Sequence, residues 1–113
     1  MRTIANLILI SGATGATISS EFINNECDIC SVQVTGTFSA VSLTVQGVTN
    51  TSGGEWVDIA SADLSNYDIT NPITAKGIYE AGIEGISKVR VKVTSVTGGN
   101  VSVFAKFANS AAE

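Results

Sequence analysis

Apolar and polar residues alternate along most of this chain. Val32, Val34 and Phe38 interleave with Ser31, Gln33, Thr35 and Thr37. Val41, Leu43 and Val45 interleave with Ser42, Thr44 and Gln46. Val89, Val91 and Val93 interleave with Lys88, Arg90, Lys92 and Thr94. Val101, Val103, Ala105 and Phe107 alternate with Asn100, Ser102 and Lys106, and Phe104 breaks the polar side. Successive side chains of a strand point to opposite faces, so each run predicts a strand with one packed and one wet face. That pattern is typical of antiparallel sheets. Residues 15–23 predict a further strand, with Ile18, Ser20 and Phe22 on one side and Thr17, Ser19 and Glu21 on the other. No apolar stripe of helical period and length occurs.

Turn signals fall between these runs. Thr97-Gly98-Gly99-Asn100 predicts a hairpin between two strands. Asn50-Thr51-Ser52-Gly53-Gly54 joins 41–48 to a strand at 55–60. Gly36 sits inside a strand and hints at a bulge, and Asn71-Pro72 marks a break before a strand near 73–81. The expected fold class is therefore all-β: an antiparallel β-sandwich, jelly-roll or immunoglobulin-like, of seven to nine short strands in one domain spanning 1–113.

Residues 3–10 differ, because both faces are apolar: Ile4, Ile8 and Ile10 on one, Ala5, Leu7 and Leu9 on the other. Two readings stand. One is a central strand covered on both sides. The other makes residues 1–12 an N-terminal arm that packs on a neighbouring subunit through Ile4, Leu7 and Leu9. Left open, such a segment is an aggregation hazard. It is too short to span a bilayer, and Asn6 interrupts it, so a signal peptide is not expected. We expect a soluble protein made in the cytoplasm, without membrane partners.

Composition narrows the chemistry. The formal net charge is −4 and charged residues are 14% of the chain, which favours neither disorder nor nucleic-acid binding. The chain has no histidine. That removes the commonest general base, the Ser-His-Asp triad and the commonest zinc ligand. No catalytic residue, cofactor or metal is expected. Ser11-Gly12-Ala13-Thr14-Gly15 lacks the lysine and the helix of a phosphate loop. Cys27-Asp28-Ile29-Cys30 has redox spacing, but Glu26 and Asp28 disfavour a thiolate, so structural thiols are expected. Asp58, Asp63 and Asp68 match no calcium loop and are read as turn residues.

Two features remain as candidate contact residues. Trp56 sits in Gly54-Glu55-Trp56-Val57-Asp58-Ile59. If Val57 and Ile59 face inward, Trp56 faces outward, where aromatics anchor contacts; a second core layer is the other placement. Lys88, Arg90 and Lys92 form a basic row on one strand face. It is either a solvated face that discourages edge pairing or a docking row for an acidic partner.

In order along the chain, Phe38, Val41–Gly47, Gly54-Glu55-Trp56-Val57-Asp58-Ile59, Gly77-Ile78-Tyr79, Gly85–Val93 and Gly98-Gly99-Asn100-Val101-Ser102-Val103 resemble small β-sandwich virion proteins of tailed bacteriophages. The resemblance covers roughly residues 36–105. It departs in Gly53-Gly54, where the pattern has Asp-Gly, and residues 1–30 lie outside it. It implies a non-enzymatic virion structural protein, decorating or cementing a capsid as an oligomer, with the major capsid protein or other virion proteins as partners. The same order is similar to discoidin-like carbohydrate-binding modules. That alternative implies a host glycan held by Trp56 and loop residues near Asn50 and Asn66, on a fibre or tail.

Overall fold

Val89, Val91 and Val93 are buried, while Lys88, Arg90 and Lys92 between them are partly or fully open to solvent. The same two-residue beat repeats through the chain and builds an all-β fold, with no helix among the described residues. The computed structural model describes residues 1–50 and 54–111. Among these are eleven strands, more than the seven to nine expected. They are β1 (Arg2–Ala13), β2 (Thr17–Ile18), β3 (Phe22–Ile23), β4 (Ile29–Thr37), β5 (Ala40–Val48), β6 (Val57–Ile59), β7 (Ser61–Asp63), β8 (Ile69–Thr70), β9 (Gly77–Gly82), β10 (Lys88–Thr97) and β11 (Asn100–Asn109).

Two antiparallel sheets form the sandwich. The six-stranded sheet runs β1-β11-β4-β9-β7-β8. The five-stranded sheet runs β2-β10-β5-β6, with β3 also paired to β10. Their inner faces meet in one core. Leu43, Val45, Val89, Val91 and Val93 come from the smaller sheet; Val32, Val34, Tyr79, Val101, Val103 and Phe107 come from the larger. Fully burying a valine or leucine side chain stabilises by about 1.5–3 kcal/mol. Phe22 stacks on Phe107 across the layers, with ring centroids 3.8 Å apart. The Tyr79 hydroxyl donates to the Ala75 carbonyl at 2.8 Å.

The glycine turn at 98–99 changes direction as expected but does not make a paired hairpin. β10 lies in the smaller sheet and β11 in the larger. The link from β4 to β5 crosses between sheets in the same way, and the two crossings lie against each other. Ser39 N–H donates to the Thr97 carbonyl at 2.8 Å. A Cβ on Gly99 would stand 1.7 Å from the Thr37 carbonyl oxygen, and one on Gly36 would stand 2.3 Å from that of Asn100. Gly36 lies in the β4–β11 ladder opposite Val101, with no bulge there, and Gly99 lets the two backbones touch where that ladder ends. The strands on either side of residues 50–54, β5 and β6, are paired; Thr51, Ser52 and Gly53 of the expected turn lie outside the described residues.

Two further expectations are corrected. The run 15–23 is two short strands, and Ile18 and Phe22 lie on opposite faces. Ser19 interrupts the ladder: its N–H donates to the Val91 carbonyl, and its Oγ accepts the Val91 N–H, each at 2.9 Å. The strand expected from 73 begins at Gly77; before it, Ile73 makes an isolated bridge to Leu43.

β1 is an edge strand, not a central one. It pairs only with β11, and its register shifts three times, between Thr3 and Ala5, Ile8 and Ile10, and Ile10 and Ala13.

Candidate functional site

Among the described residues, no three of the metal-ligating acids and cysteines come together. Cys27 and Cys30 are both free and buried. Burial pushes the Cys30 thiol up to about 12, with the neighbouring Cys27 adding to it. Burial also raises Cys27, followed by the charges of Glu26 and Asp28. A raised pKa suppresses the thiolate on which redox chemistry depends. Asn24 seals this corner: its Oδ1 accepts the Cys27 N–H, and its Nδ2 donates to the carbonyls of Cys27, Ile83 and Ile86. Asp63, the last residue of β7, accepts the N–H and hydroxyl of Ser65 in the turn that follows, whereas Asp58, expected in a turn, lies in β6 opposite Gln46.

What the fold does present is two outer sheet faces. On the smaller sheet, register aligns Arg90 with Gln46 and Gln46 with Asp58. Arg90 Nε donates to Gln46 Oε1, and Gln46 Nε2 donates to Asp58 Oδ1, both at 3.0 Å. The Arg90 guanidinium lies 4.1 Å from the centre of the Trp56 ring. Trp56 is therefore on the outer face, as one of its two expected placements had it, and Arg90 covers one side of its ring. Lys88 faces Glu21 at 3.6 Å. Two of the three cations in the basic row are thus answered within their own sheet; Lys92 is exposed.

The larger sheet presents a different face. Register places Ile8, Phe104, Gln33 and Ile78 side by side across β1, β11, β4 and β9. Leu64 continues the row, its N–H donating to the Ile78 carbonyl. Ile8 is 63% exposed, Phe104 40%, Ile78 47% and Leu64 37%. The next row is polar: Asn6, Lys106, Ser31 and Glu80. A shallow depression of about 530 Å³ lies over Asn6, Ile8, Gln33, Ile78 and Phe104. Single exposed apolar residues are ordinary, but here two apolar pairs, Ile8 with Phe104 and Ile78 with Leu64, flank Gln33 on one face, a grouping that makes it a candidate contact surface.

Of the N-terminal candidates, Leu9 is buried in the protein's own core, which takes it out of any outer surface. Ile4 is half-buried against that core, and Leu7, paired with the buried Ala105 and so on the other side of β1 from Ile8, remains 39% exposed. The row itself escaped the sequence reading. Ile8, Ile78 and Phe104 are distant in the chain, and only strand order aligns them. Phe104, breaking an otherwise polar face, was the one local signal.

Comparison with known proteins agrees with this architecture. The SPBc2 prophage-derived protein YomS superposes with a TM-score of 0.82 at 19% identity, over 91% of this chain and 90% of that one. The PBSX exported protein XepA superposes with a TM-score of 0.85 at 18% identity, over 94% of this chain and 37% of that one. At such identities the likeness is one of fold. A search of curated protein sequences found no match. The family model described as XepA matches residues 3–106, nearly the whole sandwich, and the chain belongs to that family.

Proposed function

We propose that this chain is a non-enzymatic structural protein of phage origin that rides on the virion and works by packing its outer sheet faces against neighbouring subunits. Its finer role is to decorate or cement the capsid. The observation that carries the reading is the open row Ile8-Phe104-Gln33-Ile78-Leu64 on the larger sheet, apolar except for Gln33. A face of this kind, on a fold without histidine, suits burial against protein more than turnover of a small molecule. Family membership and the prophage origin of both solved relatives support the phage assignment.

The glycan alternative finds less support. Sugar-binding tryptophans need an open ring face, and Arg90 occupies one side of Trp56. The test is mass spectrometry of gradient-purified particles, with the lysate and medium measured in parallel. The protein should band with the particles in a fixed ratio to the major capsid protein. Recovery only as free protein would overturn the reading.

A further inference from the structure

The outer face of the smaller sheet carries positive charge that its own residues leave unmatched. Lys88, Arg90 and Lys92 alternate with the buried valines of β10 and so share that face. Among the described residues, the ion pairs are Arg2 with Glu26 and Lys88 with Glu21. Arg90 and Lys92 belong to neither. Asp58 shares a row with Arg90 but lies beyond Gln46, where it accepts the Gln46 amide. Arg90 is held by neutral groups alone. Trp56 takes one face of the guanidinium and Gln46 takes Nε. The terminal amino groups of Arg90, Nη1 and Nη2, and the Lys92 ammonium have no acceptor among the described residues. The Nη N–H bonds lie in the guanidinium plane, a geometry that a carboxylate meets with both oxygens.

We infer that this face docks an extended acidic segment of a different protein, with carboxylates two residues apart seated on Arg90 and Lys92. The inference rests on the reading of the outer sheet faces as contact surfaces. Residues two apart on a strand lie about 7 Å from each other, so a segment running along β10 repeats the spacing of the two cations. The chain does not supply such a segment itself. Its only acids two residues apart are Glu26 and Asp28; Arg2 engages the first and Ser110 the second. The occupant is therefore not a second copy.

Two further features suit this occupant. Trp56 and Gln46 fix the guanidinium before a partner arrives, so little side-chain freedom is lost on docking. The chain as a whole has a formal net charge of −4. An acidic partner is repelled by most of that surface and drawn to this row, which sets its orientation.

Amide NMR of the folded chain, titrated with the end-blocked peptide Thr-Glu-Thr-Glu-Thr, tests the contact. The Trp56 indole, the Arg90 Nε–H and the Lys92 amide should shift together and saturate. Dissociation is expected in the millimolar range, weakened by added salt, because both pairs are near the surface. The neutral peptide Thr-Gln-Thr-Gln-Thr should leave these signals in place. Lys92→Gln, at an exposed position, should weaken binding roughly fivefold. Lys92→Glu should lose the diacid and take Thr-Glu-Thr-Lys-Thr in its place. The inference is overturned if the shifts fail to saturate, if the neutral peptide matches the acidic one, or if Lys92→Gln changes nothing. Failure of the Lys92→Glu exchange overturns it too, as does binding of phosphatidylglycerol vesicles or single-stranded DNA at these residues without binding of the peptide. A chain that bands with particles but ignores the peptide would sink this inference and leave the virion role standing. A chain that takes the peptide yet is absent from particles would do the reverse.

Discussion

Arg90 stacks over Trp56 at 4.1 Å while its Nε holds the Gln46 side-chain oxygen at 3.0 Å. One guanidinium thus ties the aromatic to the centre of a sheet face. Gln46 is itself buried, so the contact satisfies a polar group that water does not reach. Lysine carries the charge but not the planar, forked donor. Arg90→Lys is expected to lower stability by about 1–3 kcal/mol, much of it from the stranded Gln46 oxygen. Urea denaturation measures the loss, and a red shift in Trp56 emission reports the uncovered ring.

Ser19 substitutes its hydroxyl for a backbone carbonyl in accepting the Val91 N–H. Alanine would leave that N–H without a partner at the buried middle of β10. The expected cost of Ser19→Ala is about 1–3 kcal/mol. The Val91 amide should lose hydrogen-exchange protection more than its neighbours on β10. Equal protection there would mean that the backbone finds another acceptor.

Gly99 has a φ of 146° and faces the Thr37 carbonyl at a distance no Cβ can share. Gly99→Ala forces apart the two crossings that join the sheets. A loss above about 2 kcal/mol is expected, from overpacking and from an unfavourable backbone conformation together. Gly12→Ala is the control: its φ is also positive, but nothing lies within 4 Å of the added carbon. It should cost less, and thermal denaturation of the pair separates close approach from backbone strain.

The thiols make stability fall on the alkaline side. Cys30 ionises at about 12 in the folded chain against an ordinary value of 9.0. Its proton-bound form is favoured by folding, so the contribution is whole below 9.0 and is lost as pH rises toward about 12. Cys27 and Tyr79 shift in the same direction, each chiefly through burial. Denaturation midpoints should decline through this window, and Cys30→Ala should flatten the decline. In the folded protein at neutral pH, both thiols should react with a disulfide reagent only as fast as the chain opens.

The alternation of Val89, Val91 and Val93 with Lys88, Arg90 and Lys92 is enough to read a strand and its two faces, and the same holds for β4 and β11; in β5 the polar side is itself covered, Thr44 and Gln46 being buried. Side-chain period is local, so local sequence carries it. The destination of each strand is not local. Gly98-Gly99 announces a reversal in either case, whether the next strand pairs with the last or crosses to the other sheet. The break at Ser19 was hidden because a serine in an alternating run looks like any polar position. The outer row depends on β1, β11, β4 and β9 lying side by side, a relationship among residues up to 96 positions apart, Ile8 and Phe104 being the extremes.

The three register shifts of β1 bear on how growth stops. An apolar border strand of twelve residues would be a template if its amides were evenly spaced, each chain recruiting the next in an endless ribbon. Staggered pairing twists that border and spoils the regular comb of donors and acceptors. Recruitment of a further strand at this rim is thereby discouraged, which keeps a protein this rich in valine and isoleucine from running into fibres.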